Sequence, residues 1–297
     1  METPAQREVE GMITSFDGFV GVDWSGARGA RYDGIAVARC GKGQDAPMLV
    51  DPPGRKWRRS DFVEWLAGCS NERLLVGIDC AFALPEETAR AFLGNAYTVF
   101  DLWKHVDLTC AEFTDYYGGA FAEHEAHRRH FWTSGTRPTG FAELHRATEH
   151  ACRKGGHGAP ESPLKLVGAR QVGKGGLAGM RVLAELTRRL GDAFCVWPFA
   201  DMADASVICV ELYPRLFLRA AGHGNSKVRT RDDLDRCLAA LRSSAYAGPK
   251  GKLSDHETDA LVASAGLRWI ADDPSIWMPP GLDPLARRAE GWILGVT

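Results

Sequence analysis

The sequence predicts an α/β fold: a mixed sheet of three antiparallel strands and then parallel strands, flanked by helices and interrupted by a helical insertion. Three observations predict it. Three strand-like runs follow one another near the start of the chain with short links, the pattern of an antiparallel meander. Two later runs, LLVGID and VICVE, are apolar up to a final acid, as strands covered on both faces are. Helical periods separate and follow these later runs.

Residues 1–17 read as a loose lead-in. FVGVD (19–23) is the first strand, and the turn-rich WSGARGARY joins it to the second, DGIAVARC (33–40). PMLVDPP (47–53) is the third. In RKWRRSDFVEWLAGC, Ser60 suits a helix N-cap, and Phe62, Val63, Trp65 and Leu66 recur at helical spacing. LLVGID (74–79) is the fourth strand. From Pro85 to about 170 the pattern is helical but broken by Gly, Pro, Tyr and Trp, and this insertion holds seven of the nine histidines. GLAGMRVLAELTRRLG (176–191) is an amphipathic helix. VICVELYP (207–214) is the fifth strand, ended by Pro214. RDDLDRCLAALRS (231–243) and SDHETDALVASAGLRWI (254–270) are the last two helices, and 272–297 is a Pro-rich, packed tail. No internal repeat, low-complexity tract or linker appears, so one domain spans 1–297.

The chain has 297 residues, 45% hydrophobic and 25% charged, enough for a sizeable core. A formal net charge of −2 provides no global positive field for nucleic acid, although it leaves room for a local basic groove. The eight cysteines form no C-x-x-C pair, which excludes a zinc ribbon and a thioredoxin motif. Cys80, Cys195 and Cys209 lie in apolar runs, where a thiol packs as a small hydrophobe. METPAQREVEGM is not a secretory leader, and no run is long enough to span a bilayer. The expectation is a reduced, cytoplasmic protein with no membrane partner.

Three strand runs reach their first polar residue at a carboxylate: Asp23, Asp79 and Glu211. Ligands of open α/β sheets bind beyond the carboxyl ends of the strands. Adjacent parallel strands would therefore gather these acids at one edge. Asp259 falls on the apolar stripe of Val262, Ala263, Gly266 and Ile270 in the last helix. Capping does not explain it, because Ser254 and Glu257 form an S-x-x-E capping box and Asp255 takes the favoured end of the helix dipole. Each acid also has a plainer reading. Asp23, before Ser25-Gly26, suits a turn, whereas Asp79 is followed by Cys80-Ala81-Phe82 with no turn signal. Acids crowded together raise one another's pKa, and divalent cations relieve the conflict. All-oxygen ligands suit Mg²⁺ or Mn²⁺, and a pair of such ions can activate a water and stabilise the leaving oxygen of a phosphodiester.

The stretches GVDWSG (21–26), GIDCAFALP (77–85), VELYPRLF (210–217) and DHETDALVAS (255–264) resemble domain-of-unknown-function family 429, whose members are predicted RNase H-like nucleases. RQVGKGGLAGM (170–180) is a fifth, weaker match. The last helix also resembles that of RuvC-type resolvases, where an acid or histidine precedes a metal-binding Asp by three residues; here the pair is His256 and Asp259. The resemblance implies an RNase H-like core and a metal-dependent nuclease acting on nucleic acid by a two-metal-ion mechanism. Asp23 would bridge the metals, Asp79, Glu211 and Asp259 would complete the shell, and His256 would ligate or manage a proton.

Other constellations carry less. His124, His127 and His130 stand three apart and can share a helix face as metal ligands, but a solvated, charge-rich face is the plainer reading. RKWRR (55–59) suits either phosphate contact with a stacking Trp57 or a solvated loop. VGKGGLAGM is not a Walker loop, yet its glycines lead into a helix, so Arg170 and Lys174, with Ser25, are the candidate substrate-binding residues. Two alternatives remain. One is an actin-like phosphotransferase using GVDWSG as a phosphate loop, for which a second glycine-bearing loop is missing. The other is a non-catalytic binding module on the same fold.

Overall fold

The computed structural model describes residues 16–297 except 30, 70, 169–170, 225 and 250, so nearly all of the lead-in and Arg170 lie outside the described residues. The protein is α/β, built on a six-stranded mixed sheet with helices against it. Strands β1 (Gly18–Asp23), β2 (Ala36–Cys40) and β3 (Met48–Leu49) form the expected antiparallel meander. Strand β4 (Leu74–Ile78) pairs parallel with β1, and β6 (Val207–Glu211) pairs parallel with β4. Strand β5 (Phe194–Val196) lies parallel to β6, giving the order β3-β2-β1-β4-β6-β5. The sequence reading missed β5, because a run of three residues is too short to show any period.

The segment from 85 to 170 is helical, as expected, with α2 (Glu86–Leu93), α3 (Val99–Thr109), α4 (Gly119–Glu123) and α5 (Ala147–Lys154). Before it comes α1 (Arg59–Gly68), and after it α6 (Gly173–Leu190), α7 (Pro214–Ala220), α8 (Arg231–Ala240) and α9 (Asp255–Ala271). The tail packs through the buried Trp277, Trp292 and Leu294, and the Leu294 amide donates to the Glu211 carbonyl at 2.9 Å.

Strand alternation sorts the sheet's side chains into two cores. Phe19, Leu75, Ile208 and Val210 join the core that contains α7, α8 and α9. Val20, Val22, Leu74, Val76, Ile78, Val207 and Cys209 join the core that contains α1, α3 and α6. Both faces are covered, which is why β1, β4 and β6 are buried along their whole length.

Helix α9 comes close to β1 at Gly21, where a Cβ would stand 2.5 Å from the Ala260 carbonyl oxygen. Only glycine permits that approach. It seats the second turn of α9, which carries Asp259, beside the strand that ends in Asp23. Its capping box forms as the sequence predicts: the Glu257 amide donates to Ser254 Oγ at 3.2 Å, and the Ser254 amide to Glu257 Oε2 at 2.6 Å.

The start of α1 differs from expectation. The helix begins at Arg59, and Ser60 is not its cap. Asp61 accepts from the Arg58 amide at 3.1 Å. Asp115, brought from the insertion, accepts from the amides of Arg59 and Ser60 at 3.2 and 2.9 Å. A carboxylate from 55 residues away does the capping, so no local signal marks it.

Candidate active site

Asp23 closes β1, and Asp79 follows β4, its amide donating to the Val22 carbonyl at 2.9 Å. The two acids therefore stand side by side at the carboxyl edge of neighbouring parallel strands. Asp23 shares parity with Phe19, and Asp79 with Leu75, so strand alternation aims both toward the α9 side. Asp259 reaches the same place from α9. Burial and then the charges of Asp23, Asp259 and Glu211 hold the Asp79 carboxyl well above the usual carboxylate range. Burial also raises Asp259, against the pull of Lys227. Three aspartates thus share one electrostatic field, although they lie far apart along the chain.

An imidazole and an ammonium meet them. His256 Nδ1 bonds Asp23 Oδ2; this bond raises the imidazole, while burial raises Asp23 against it. Lys227 Nζ lies 3.3 Å from Asp259 Oδ2. Asp259 Oδ1 is buried with no hydrogen-bond partner. The Asp79 carboxylate has no hydrogen bond among the described residues.

Glu211 has a different environment. It pairs in register with Ile78, not Asp79, so its side chain points to the opposite face from the two aspartates. There the Arg146 guanidinium holds it in a bidentate pair, Nη2 to Oε1 at 2.5 Å and Nη1 to Oε2 at 2.8 Å. The Phe82 amide adds a bond to Oε2 at 3.0 Å. Both oxygens of Glu211, named from the sequence as a metal ligand, are thus hydrogen-bonded within the protein. Arg146 also bonds Glu149 Oε1, 2.9 Å from Nε, so one buried guanidinium ties β6 to the start of α5. Nothing in the sequence around Arg146 announces this pair.

Beside the acids opens a cavity of about 800 Å³. Asp79 and Glu211 line it with Ser25, Arg28, Lys174 and Tyr213; Asp23, His256 and Asp259 are not in its wall. Ser25 and Lys174 thus share one cavity, as the sequence reading required of substrate-binding residues, while Arg170 lies outside the described residues. The start of α6 comes up tightly, since a Cβ on Gly26 would lie 2.0 Å from the Lys174 carbonyl carbon.

The other constellations have structural roles. Within RKWRR, Trp57 is buried, and the fully buried Arg59 donates to the carbonyls of Ser25, Ala27 and Asp115 at 2.9, 2.7 and 2.9 Å. It neither sits in a solvated loop nor faces a phosphate; it fixes the loop that follows Asp23. His127 is not on a solvated face either. It is buried, stacked 4.0 Å from the Phe121 ring, with Nε2 placed 3.2 Å from His105 Nε2.

Among the described residues, no group of three or more His, Cys, Asp or Glu side chains is gathered so as to hold a metal ion. The donors nevertheless fit a hard divalent cation in kind. They are oxygens, one is buried and unpartnered, and Mg²⁺ commonly takes only one or two carboxylates beside waters and substrate phosphates. All eight cysteines are free, and no helix among the described residues is long and apolar enough to cross a membrane. The chain matches no protein-family model, no curated protein and no solved structure.

Proposed function

We propose that the protein is a metal-dependent phosphodiesterase of nuclease type on an RNase H-like core. The observation that carries this reading is the Asp79 carboxylate: without a hydrogen bond among the described residues, in the field of Asp23, Asp259 and Glu211, and open to the cavity. A carboxylate pushed up by desolvation and by neighbouring acids is costly to ionise, and such costs concentrate at functional sites. The antiparallel meander followed by the parallel strands β4 and β6 agrees with the resemblance to domain-of-unknown-function family 429.

Asp23, Asp79 and Asp259 would hold Mg²⁺ or Mn²⁺, which when bound supplies Lewis-acid stabilisation of a phosphoryl oxygen. The chain's own groups supply the rest. Lys174 and Arg28 give the cavity positive charge beside the acids, suited to an anionic backbone. Ser25 lies on the loop that Arg59 fixes, so the residue is held at the cavity wall, its Oγ accepting from the Ala27 amide at 3.3 Å. His256, hydrogen-bonded to Asp23 and half-exposed, can take or give a proton at its other ring nitrogen. Glu211 is left out of the ligand set, because Arg146 occupies it.

The test is a panel of labelled DNA, RNA and branched substrates with Mg²⁺ or Mn²⁺. Asp23→Asn should abolish cleavage while leaving the unfolding transition in place. Cleavage that survives this change rejects the assignment. His256→Ala should slow cleavage roughly 10²–10⁴-fold, the usual scale of a general acid or base.

A further inference from the structure

Lys227 is the strongest unexplained feature of the site. Its ammonium lies 3.3 Å from Asp259 Oδ2 and 3.7 Å from Asp255 Oδ2. It stands on the connection between α7 and α8, beside the buried Val228, and Arg229 adds a second tether to Asp255 at 3.2 Å. The connection is thus latched to the first two turns of α9 by two cations. The Lys227 side chain itself is 38% exposed, so the ammonium can swing into water at little cost.

We propose that Lys227 is a displaceable internal counter-cation: its ammonium neutralises the aspartates in the metal-free protein and competes with a divalent cation for them. This rests on the metal-dependent reading above. The geometry asks for such a group, because three acids at one sheet edge repel one another when no cation is bound. A compact ammonium on a flexible stem can fill that place and also leave it, whereas a guanidinium held in a bidentate fork, as Arg146 is, cannot. The same charge lowers Asp23, Asp79 and Asp259 together, so its influence extends beyond its one direct partner.

The experiment is titration of the full chain with Mn²⁺, read by calorimetry and by the resonance of free Mn²⁺, for the wild type, Lys227→Met and Lys227→Arg, with Asp259→Asn as control. Lys227→Met should bind Mn²⁺ about two- to fivefold more tightly, the scale of one partly screened ion pair. It should also melt lower than the wild type without metal and lose that deficit once Mn²⁺ is saturating. Lys227→Arg should bind no more tightly than the wild type. Lys227→Gln serves if the Met variant does not fold. Equal affinity of the wild type and the uncharged variants, with Asp259→Asn weakened, overturns the counter-cation and leaves the metal site standing. No Mn²⁺ binding by any variant removes the metal-dependent reading, and this inference with it.

Discussion

Two groups of acids occupy one edge of the sheet and have been treated in opposite ways. On one side, Glu211 and Glu149 share Arg146, all three buried, with the carboxylate oxygens of Glu211 filled by the guanidinium and a backbone amide. On the other, Asp23, Asp79 and Asp259 have one ammonium and one imidazole among them, and Asp79 has no hydrogen bond among the described residues. The first group is a closed structural joint between β6, α5 and the tail. The second is incompletely compensated, and therefore able to receive something. The difference is one of placement. It comes from register, which turns Glu211 to the opposite face from Asp23 and Asp79.

The largest expected effect comes from breaking the joint. Arg146→Met leaves Glu149 and Glu211 buried without their cation, and removing one member of a buried ion network costs about 3–5 kcal/mol. Denaturant unfolding of the variant should show that loss. A loss below about 1 kcal/mol would mean that the network is solvated and that the contrast with the aspartates is false. Glu211→Gln is the milder version. It keeps the shape and removes one charge, leaving Arg146 and Glu149 as a neutral pair, so the expected cost is about 2 kcal/mol, the scale of a charge-assisted hydrogen bond. Mn²⁺ affinity should not change in Glu211→Gln, because the ligands proposed are the aspartates. A strong loss of Mn²⁺ binding there would return Glu211 to the ligand set.

How much of this was legible in the sequence follows from the same residues. The meander, β4, β6, α6 and α9 were readable because each has a period or a run long enough to repeat. The capping box of α9 was readable because it is local, with Ser254 and Glu257 three residues apart. Asp23, Asp79 and Asp259 stood out as acids at the ends of apolar runs or on an apolar stripe, and the fold does bring them together. The face that Glu211 takes was not legible, because strand pairing, not the strand itself, decides which face an end residue takes. Arg59, Asp115, Arg146 and Lys227 gave no signal, since these contacts reach segments 32 or more residues away. The pattern of RKWRR is the same whether its arginines face water or, as Arg59 does, lie buried against carbonyls.

The smallest effect is the most telling, because its sign separates the two groups. Asp79→Asn should stabilise the metal-free protein by about 1 kcal/mol, the usual return for relieving a cost held at a functional site. Burial and the neighbouring acids hold Asp79 well above its ordinary value of 3.8, so over the interval between that value and the raised one the native state keeps a proton that the unfolded chain has released. Stability from this group is therefore full below about pH 3.8 and falls as pH rises through the raised value. Asparagine cannot titrate, so the variant should lack this decline, and the gap between variant and wild type should widen from acid toward neutral pH. Urea unfolding at several pH values without divalent ions measures it. Adding Mn²⁺ should close the gap, since only the wild type gains from binding at that carboxylate. A variant less stable than the wild type at neutral pH would place Asp79 with Glu211, as a group the fold requires.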